Sequence, residues 1–255
     1  MDDTAQSGDA APSEVEQDAD LATALARLAQ LSAGRVGLVQ MLTQVTHTAV
    51  LAIPGADGAG LTLLEPQHED IVVKSADFVR QIEDIQYGIG QGPCITAVTD
   101  NRTVRSGSLG GDPRWPRFGP RAGRLGVHSV LALPLRTPHG VIGAMNIYAH
   151  HKDAFDERAE QLGEIFAVPA AVSVLNAQIL AHSQRLTDQL HQALRTRPVI
   201  DQAIGILRSR SGDTTEQAFD ILRRLSQHQH VKLADIADRL VEEATAAARA
   251  RRTRT

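Results

Sequence analysis

Between residues 195 and 243, cations recur alongside a carboxamide and two small residues: Gln202, Ala203, Gly205, Arg208, Arg210, Arg223, Arg224, Lys232 and Arg239. The set suits a phosphate polymer. Guanidinium and ammonium groups neutralise phosphates and release counterions, while looped bases are read by groups that approach their edges closely. Ala203 and Gly205 would leave room for a base or a backbone. The alternative for each arginine is a solvated helix face. Residues 195–255 hold twelve Lys and Arg against eight Asp and Glu, whereas the whole chain has a formal net charge of −4. Positive charge is therefore concentrated toward the C-terminal end, much of it in the final RARRTRT run.

Other residue types that carry chemistry are sparse. Cys94 is the single cysteine, which excludes an internal disulfide. Placed behind Gly92-Pro93 at a helix start, its thiol pKa could be lowered, but a small buried residue is the favoured reading. No histidine can be placed beside it from sequence, which weighs against a Cys/His nucleophile. His150 and His151 are neighbours that point to opposite faces of a strand end, and His228 and His230 lie two apart near a helix end, so neither pair suggests a metal site. Gly88, Gly90 and Gly92 lack the strand, spacing and Lys of a phosphate-binding loop. Arg114, Arg117, Arg121 and Arg124 crowd around Trp115, the only tryptophan. Their spacing of three and four would put them on one helical face, either as an anion site or as solvated surface, with Trp115 as a buried loop anchor. No catalytic residue, metal or cofactor is expected.

The elements that must position the C-terminal cations are readable from spacing. Ile200, Ala203, Ile204 and Leu207, then Ala218, Phe219, Leu222 and Leu225, then Leu233, Ile236, Ala237, Leu240 and Val241 mark three amphipathic helices. Thr214 with Gln217 forms a capping box opening the second, after Gly212-Asp213 ends the first. In RPVIDQAIGIL, TTEQAFDILRRLSQ and VKLADIADRL the segment resembles the ANTAR family, RNA-binding output modules of transcription antitermination regulators. The resemblance implies a three-helix bundle that binds RNA hairpin loops. Three positions depart from the family pattern: Ile204 stands where Lys is usual, Arg208 where Met is, and Ser226 where Ala is. Without that lysine, either Arg208 and Arg210 carry the charge or RNA is held more weakly.

Residues 21–180 follow another pattern. Leu38, Leu42, Val45, Ala49 and Ile53 mark a helix ending at Pro54-Gly55, followed by strands at GAGLTLLE, DIVVKSA, SVLALPLRT and GVIGAMNIYAH, the last two forming a hairpin through Pro138, His139 and Gly140. The class is α+β. YGIGQGPCITAV, DPRWPRFGPRA, GVHSVLALPL and GVIGAMNIYAH resemble GAF domains joined to ANTAR modules, over about residues 36–177. That resemblance implies an antiparallel sheet flanked by helices and a sensing role. It also implies a pocket that holds a small ligand in many members; which ligand this chain would take is unknown.

The remaining segments complete a five-part reading: an acidic disordered tail at 1–20, the sensor domain at 21–180, a helical connector at 181–196, the RNA-binding bundle at 197–245, and a basic tail at 246–255. The first twenty residues carry seven Asp and Glu and no Lys or Arg, too little apolar content for a core. From about Glu157 to Leu194, Ile165, Val172, Ile179 and Leu186 recur every seven residues, which favours a coiled-coil-like homodimer seam. Pro169 should kink or break that helix, and Pro198 should begin a new one after a hinge at Arg195–Arg197. No secretory leader is evident, and no apolar run approaches about eighteen residues, so a cytoplasmic protein is expected. The rival readings are a DNA-binding regulator, a protein-interaction sensor without nucleic acid, and an enzyme using Cys94 or a histidine.

Overall fold

The computed structural model describes residues 12–34, 36–64 and 71–253. The chain divides into two compact units, Met1–Ala181 and His182–Thr255. Five antiparallel strands organise the first: β1 Gly58–Leu63, β2 Ile71–Lys74, β3 Val104–Ser106, β4 Ser129–Thr137 and β5 Gly140–Ala149, in the order β2-β1-β5-β4-β3. Its helices are α1 Glu14–Ala33, α2 Leu38–Ala52, α3 Asp77–Ile89, α4 Pro93–Asp100, α5 Gly119–Arg124 and the beginning of α6 Glu157–Ser211. The second unit holds the rest of α6, then α7 Thr215–Gln229 and α8 Leu233–Arg252.

Period-two alternation sorts the central strands onto two faces. Leu61, Leu63, Leu131, Leu133, Leu135, Met145 and Ile147 pack with α1 (Leu21, Ala24, Leu28), α2 (Met41, Leu42, Val45, Ala49) and α6 (Leu162, Phe166, Ala170, Val174). Val130, Ala132 and Tyr148 turn the other way, toward Val79 and Ile82 of α3, Ala97 of α4, and Trp115, Phe118 and Ala122. Both faces are thus covered, which is why β4 reads as a nearly continuous apolar run. Pro134 is tolerated in β4 because β3 pairs only with Val130 to Ala132, leaving Pro134 at an effective edge. Gly143 is required where β5 meets β1: a Cβ there would lie 2.1 Å from the Thr62 carbonyl oxygen.

Several expectations are corrected. Residues 14–20 are helical, not a disordered tail: Ser13 and Glu16 form a capping box, and Leu21, Ala24 and Leu28 anchor the helix on the core. Residues 1–11 of the expected tail lie outside the described residues. No helix boundary falls at Pro198, because α6 is continuous from Glu157 to Ser211. Proline's φ is already helical, so the cost is one amide donor and the crowding of one carbonyl. The basic tail is helical to Arg252, since an Ala- and Arg-rich run has high helix propensity. An 18-residue window of α6 is, contrary to the sequence reading, apolar enough to cross a membrane by length and composition. Its inward positions Leu162, Phe166, Ala170 and Val174 are buried on the sheet, which is the packing of a core helix.

Phe166 is fully buried in that packing. Replacing Phe166 with Ala should cost the first unit about 3–5 kcal/mol, read as a shift in its urea midpoint with an unchanged slope. A cost below about 1 kcal/mol would show that α6 does not depend on the sheet at this point.

Candidate functional site

The first unit buries a polar cluster between its sheet and α3. Val79, Ile82, Glu83 and Gln86 form the buried stripe of α3, so helical periodicity carries a carboxyl inward along with the apolar residues. Glu83 Oε1 accepts hydrogen bonds from Asn146 Nδ2 at 2.8 Å and Tyr148 Oη at 3.0 Å. Glu83 Oε2 accepts one from Gln86 Nε2 at 3.0 Å. Gln86 Oε1 in turn accepts from the Cys94 backbone N–H at 3.0 Å, tying the first turn of α4 to α3. Gly92 permits this closeness, because a Cβ there would lie 2.2 Å from Gln86 Oε1. Asn146 Oδ1 and Thr62 Oγ1 are buried without a hydrogen-bond partner. Sequence reading missed Glu83; its place on the inward stripe of α3 was the available signal.

Burial dominates the electrostatics here. Loss of solvation pushes the Glu83 carboxyl up to about 7, against the hydrogen bonds from Asn146, Tyr148 and Gln86 that favour its charge. Cys94 is buried and contacts Tyr87 Oη at 3.3 Å. Desolvation, reinforced by the charge of Glu83, pushes its thiol up to about 12. Cys94 is thus the small buried residue that the sequence favours, and its surroundings outweigh the N-terminal amides of α4.

The expected arginine face around Trp115 is also corrected. Only Gly119–Arg124 is helical, so Arg114 and Arg117 precede the helix and share no face with Arg121 and Arg124. Arg114 pairs with Asp112 at 2.6 Å, donates to the Arg105 carbonyl at 2.7 Å and lies 4.4 Å over the Trp115 ring. Trp115 is the anchor the sequence suggested, buried and donating from Nε1 to Thr96 Oγ1 at 3.0 Å.

In the second unit, Ala203, Ile204, Ala218, Leu222, Ile236 and Ala237 form the core, with Val199, Leu207, Leu240 and Val241 around it. Thr214 and Gln217 make the expected capping box. Ala203 is fully buried, so it offers no room to a base: its small side chain serves the close approach of the helices. Ile204 is 7% exposed and likewise faces the core. Gln202, Gly205, Arg208 and Arg210 are exposed on α6, Arg223 and Arg224 on α7, and Lys232 and Arg239 at the start of α8 and along it. Arg223 pairs with Asp220 at 2.9 Å, and Arg239 donates to Gln229 Oε1 at 2.8 Å.

Three grooves on this unit differ in charge. One of about 580 Å³ is lined by Asp188, His191, Val199, Ala234 and Asp238, among others. A smaller one of about 170 Å³ is mostly apolar, with Leu207, Leu222, Leu225 and Leu240 beside Arg239 and Glu243. The largest, about 720 Å³, brings Gln202, Gly205 and Arg210 of α6 together across from Val241, Ala244, Thr245, Ala248 and Arg251 of α8. Among the described residues no carboxylate lines it. Arg223, Arg224 and Lys232 line none of these three grooves.

The Glu83 environment sets a pH dependence. A folded-state value of about 7 against an ordinary 4.5 means the folded unit binds its proton more tightly than the unfolded chain does. The resulting stability is complete below about pH 4.5 and is lost as pH rises through about 7, roughly 3 kcal/mol in all. Urea unfolding followed by Trp115 fluorescence should show this fall between pH 5 and pH 8 in the native chain and a flatter profile for Glu83→Gln. Superimposable profiles for the two chains would refute the assignment.

Residues 36–174 match the GAF domain family and residues 188–241 match the ANTAR domain. Among solved structures, the GAF domain of a phosphoenolpyruvate-protein phosphotransferase from Coxiella burnetii is 18% identical and aligns over 64% of this chain and 98% of its own, with a TM-score of 0.52. A free methionine-R-sulfoxide reductase from Neisseria meningitidis is 16% identical, over 66% and 95%, with a TM-score of 0.49. The GAF domain of an Acinetobacter phosphoenolpyruvate-protein phosphotransferase is 14% identical, over 67% and 99%, with a TM-score of 0.47. At these identities the likeness concerns the fold alone. Comparison with curated proteins gives no significant match. The five-stranded antiparallel sheet with its helical cover, followed by the three-helix bundle, places the chain in the GAF family, with an ANTAR domain as its C-terminal module.

Proposed function

We propose that this chain is a signal-responsive regulator of transcription antitermination, in which the GAF unit controls an ANTAR bundle that holds RNA hairpin loops. The observation that carries the reading is the match of residues 188–241 to the ANTAR domain on a bundle whose exposed surface presents Gln202, Gly205 and Arg210 in one groove lined by no carboxylate among the described residues. Phosphate neutralisation supplies affinity, and approach to splayed loop bases supplies choice. The role is non-catalytic and the compartment is the cytoplasm. Cys94, the one thiol, is buried with its pKa raised, which disfavours it as a nucleophile. The input acts on the GAF unit.

The protein works as a homodimer. Ile165, Val168, Val172, Ile179 and Leu186 on α6 are each at least 50% exposed and recur at the spacing of a helix-pair seam. Covering them with a second copy removes apolar surface from water and presents two bundles to one transcript. Two linked contacts on one RNA exceed either alone through effective concentration.

Titration of the full chain at physiological salt should give binding to RNA with two small hairpin loops about a hundredfold tighter than to a single hairpin, with scrambled loops and duplex DNA weaker still. Equal affinity for intact and scrambled loops would overturn specific recognition. The double variant Val172→Glu, Ile179→Glu should be monomeric by light scattering and bind the two-hairpin RNA no better than one hairpin.

A further inference from the structure

The ANTAR match ends at residue 241, yet α8 continues as regular helix to Arg252. Ala244 is half-buried, and the other residues from 242 to 252 are exposed. This extension supplies Ala244, Thr245, Ala248 and Arg251 to the largest of the three grooves described above, opposite Gln202, Gly205 and Arg210. Building on the RNA-binding reading, we propose that residues 242–252 form the second wall of the RNA seat, holding the phosphodiester backbone of a hairpin loop against α6.

The charge of the three grooves selects this one. Asp188 and Asp238 line the first and Glu243 the second, so a phosphate chain entering either would meet a like charge. Only Arg210 and Arg251 among the groove-lining residues of the third are charged, and they come from opposite walls. Guanidinium groups on both sides can each take a phosphate through paired N–H donors. Between them Gln202, Ser209 and Thr245 offer neutral hydrogen-bonding groups suited to phosphate, ribose or base edges.

Shape agrees with charge. Gly205 faces open space, since a Cβ built there meets nothing within 4 Å, and Ala244 and Ala248 keep the facing wall low. The volume of about 720 Å³ falls within the range of sites that enclose small ligands. Large apolar side chains are few along the groove, Ile206 and Val241 being the main ones, which favours a polar polymer over the apolar face of a protein partner.

The test uses the full chain and the two-hairpin RNA, with Arg251→Ala and Ala248→Trp as variants. Both positions are exposed, so helicity by circular dichroism should match the native chain. Arg251→Ala should lower affinity about tenfold at 150 mM salt and reduce the slope of log affinity against log salt by about 0.7–0.9 per contact. Ala248→Trp, which fills the groove without changing charge, should lower affinity by a similar or larger factor. Native binding with both variants indistinguishable from it would overturn this inference while leaving the RNA-binding reading intact. No binding of any hairpin by the native chain would overturn both. Competition by poly-glutamate as effective as that by unlabelled RNA would assign the groove to acidic protein segments instead, and so reject it as an RNA seat.

Discussion

Covering both faces of one antiparallel sheet is the constraint from which the sensor unit follows. Residues 129–135 of β4 and 143–149 of β5 are all buried, so every side chain on the central hairpin must find a partner on one side or the other. One side is met by apolar stripes from α1, α2 and α6. The other receives α3, α4 and the Trp115 loop, and there Asn146 and Tyr148 of β5 point at a helix. An apolar stripe on α3 would have left those polar groups unsatisfied. Glu83 accepts from both donors instead, with Gln86 donating to its other oxygen, and the cost appears as a carboxyl whose charged form is disfavoured. Desolvation wins over three hydrogen bonds here because burial is complete. The same balance keeps the thiol of Cys94 protonated.

The bundle obeys a different economy. Three of its six buried core residues are alanines, Ala203, Ala218 and Ala237. Small side chains bring the helices close but bury little area, and Phe219 and Leu225 are left 40% exposed at its margin. Arginines and lysine occupy the outer faces because nothing inside could solvate them. On α6 the groove runs beside the core residues, while on α8 it extends over the turns beyond them, with Arg210 and Arg251 on opposite walls.

Legibility in the sequence tracked the strength of each local pattern. The stripe Leu38 to Ile53, the hairpin through Pro138-His139 and the Thr214–Gln217 capping box are local signals that tertiary context did not override, and each stands where spacing put it. β3 escaped because three residues carry no period. The start of α1 escaped because seven carboxylates outweighed a Ser13–Glu16 box that was present in the chain all along. Pro198 misled because proline restricts a helix only through one amide and one carbonyl, a cost that a long helix absorbs. Periodicity leaves Gln202, Gly205 and Arg210 off the apolar stripe of α6, where they are exposed. It could not make Ala203 both a core residue and a base contact, and the core prevailed. Arg251 lay in what composition marked as a tail, so no helical face was assigned to it.

A core this small has a consequence for how the output module is controlled. Domains of about sixty residues bury a low fraction of their surface and fold marginally. Anything that binds only the folded bundle therefore shifts its folding equilibrium by a free energy set by concentration over dissociation constant, about 2.7 kcal/mol at a hundredfold excess. RNA that spans α6 and the far turns of α8 would act on just this equilibrium, because it bridges helices whose outer turns share no buried core. In such a module recognition and order are one event. Under the proposed function, a signal would then act by changing how often the helices are assembled when a loop arrives.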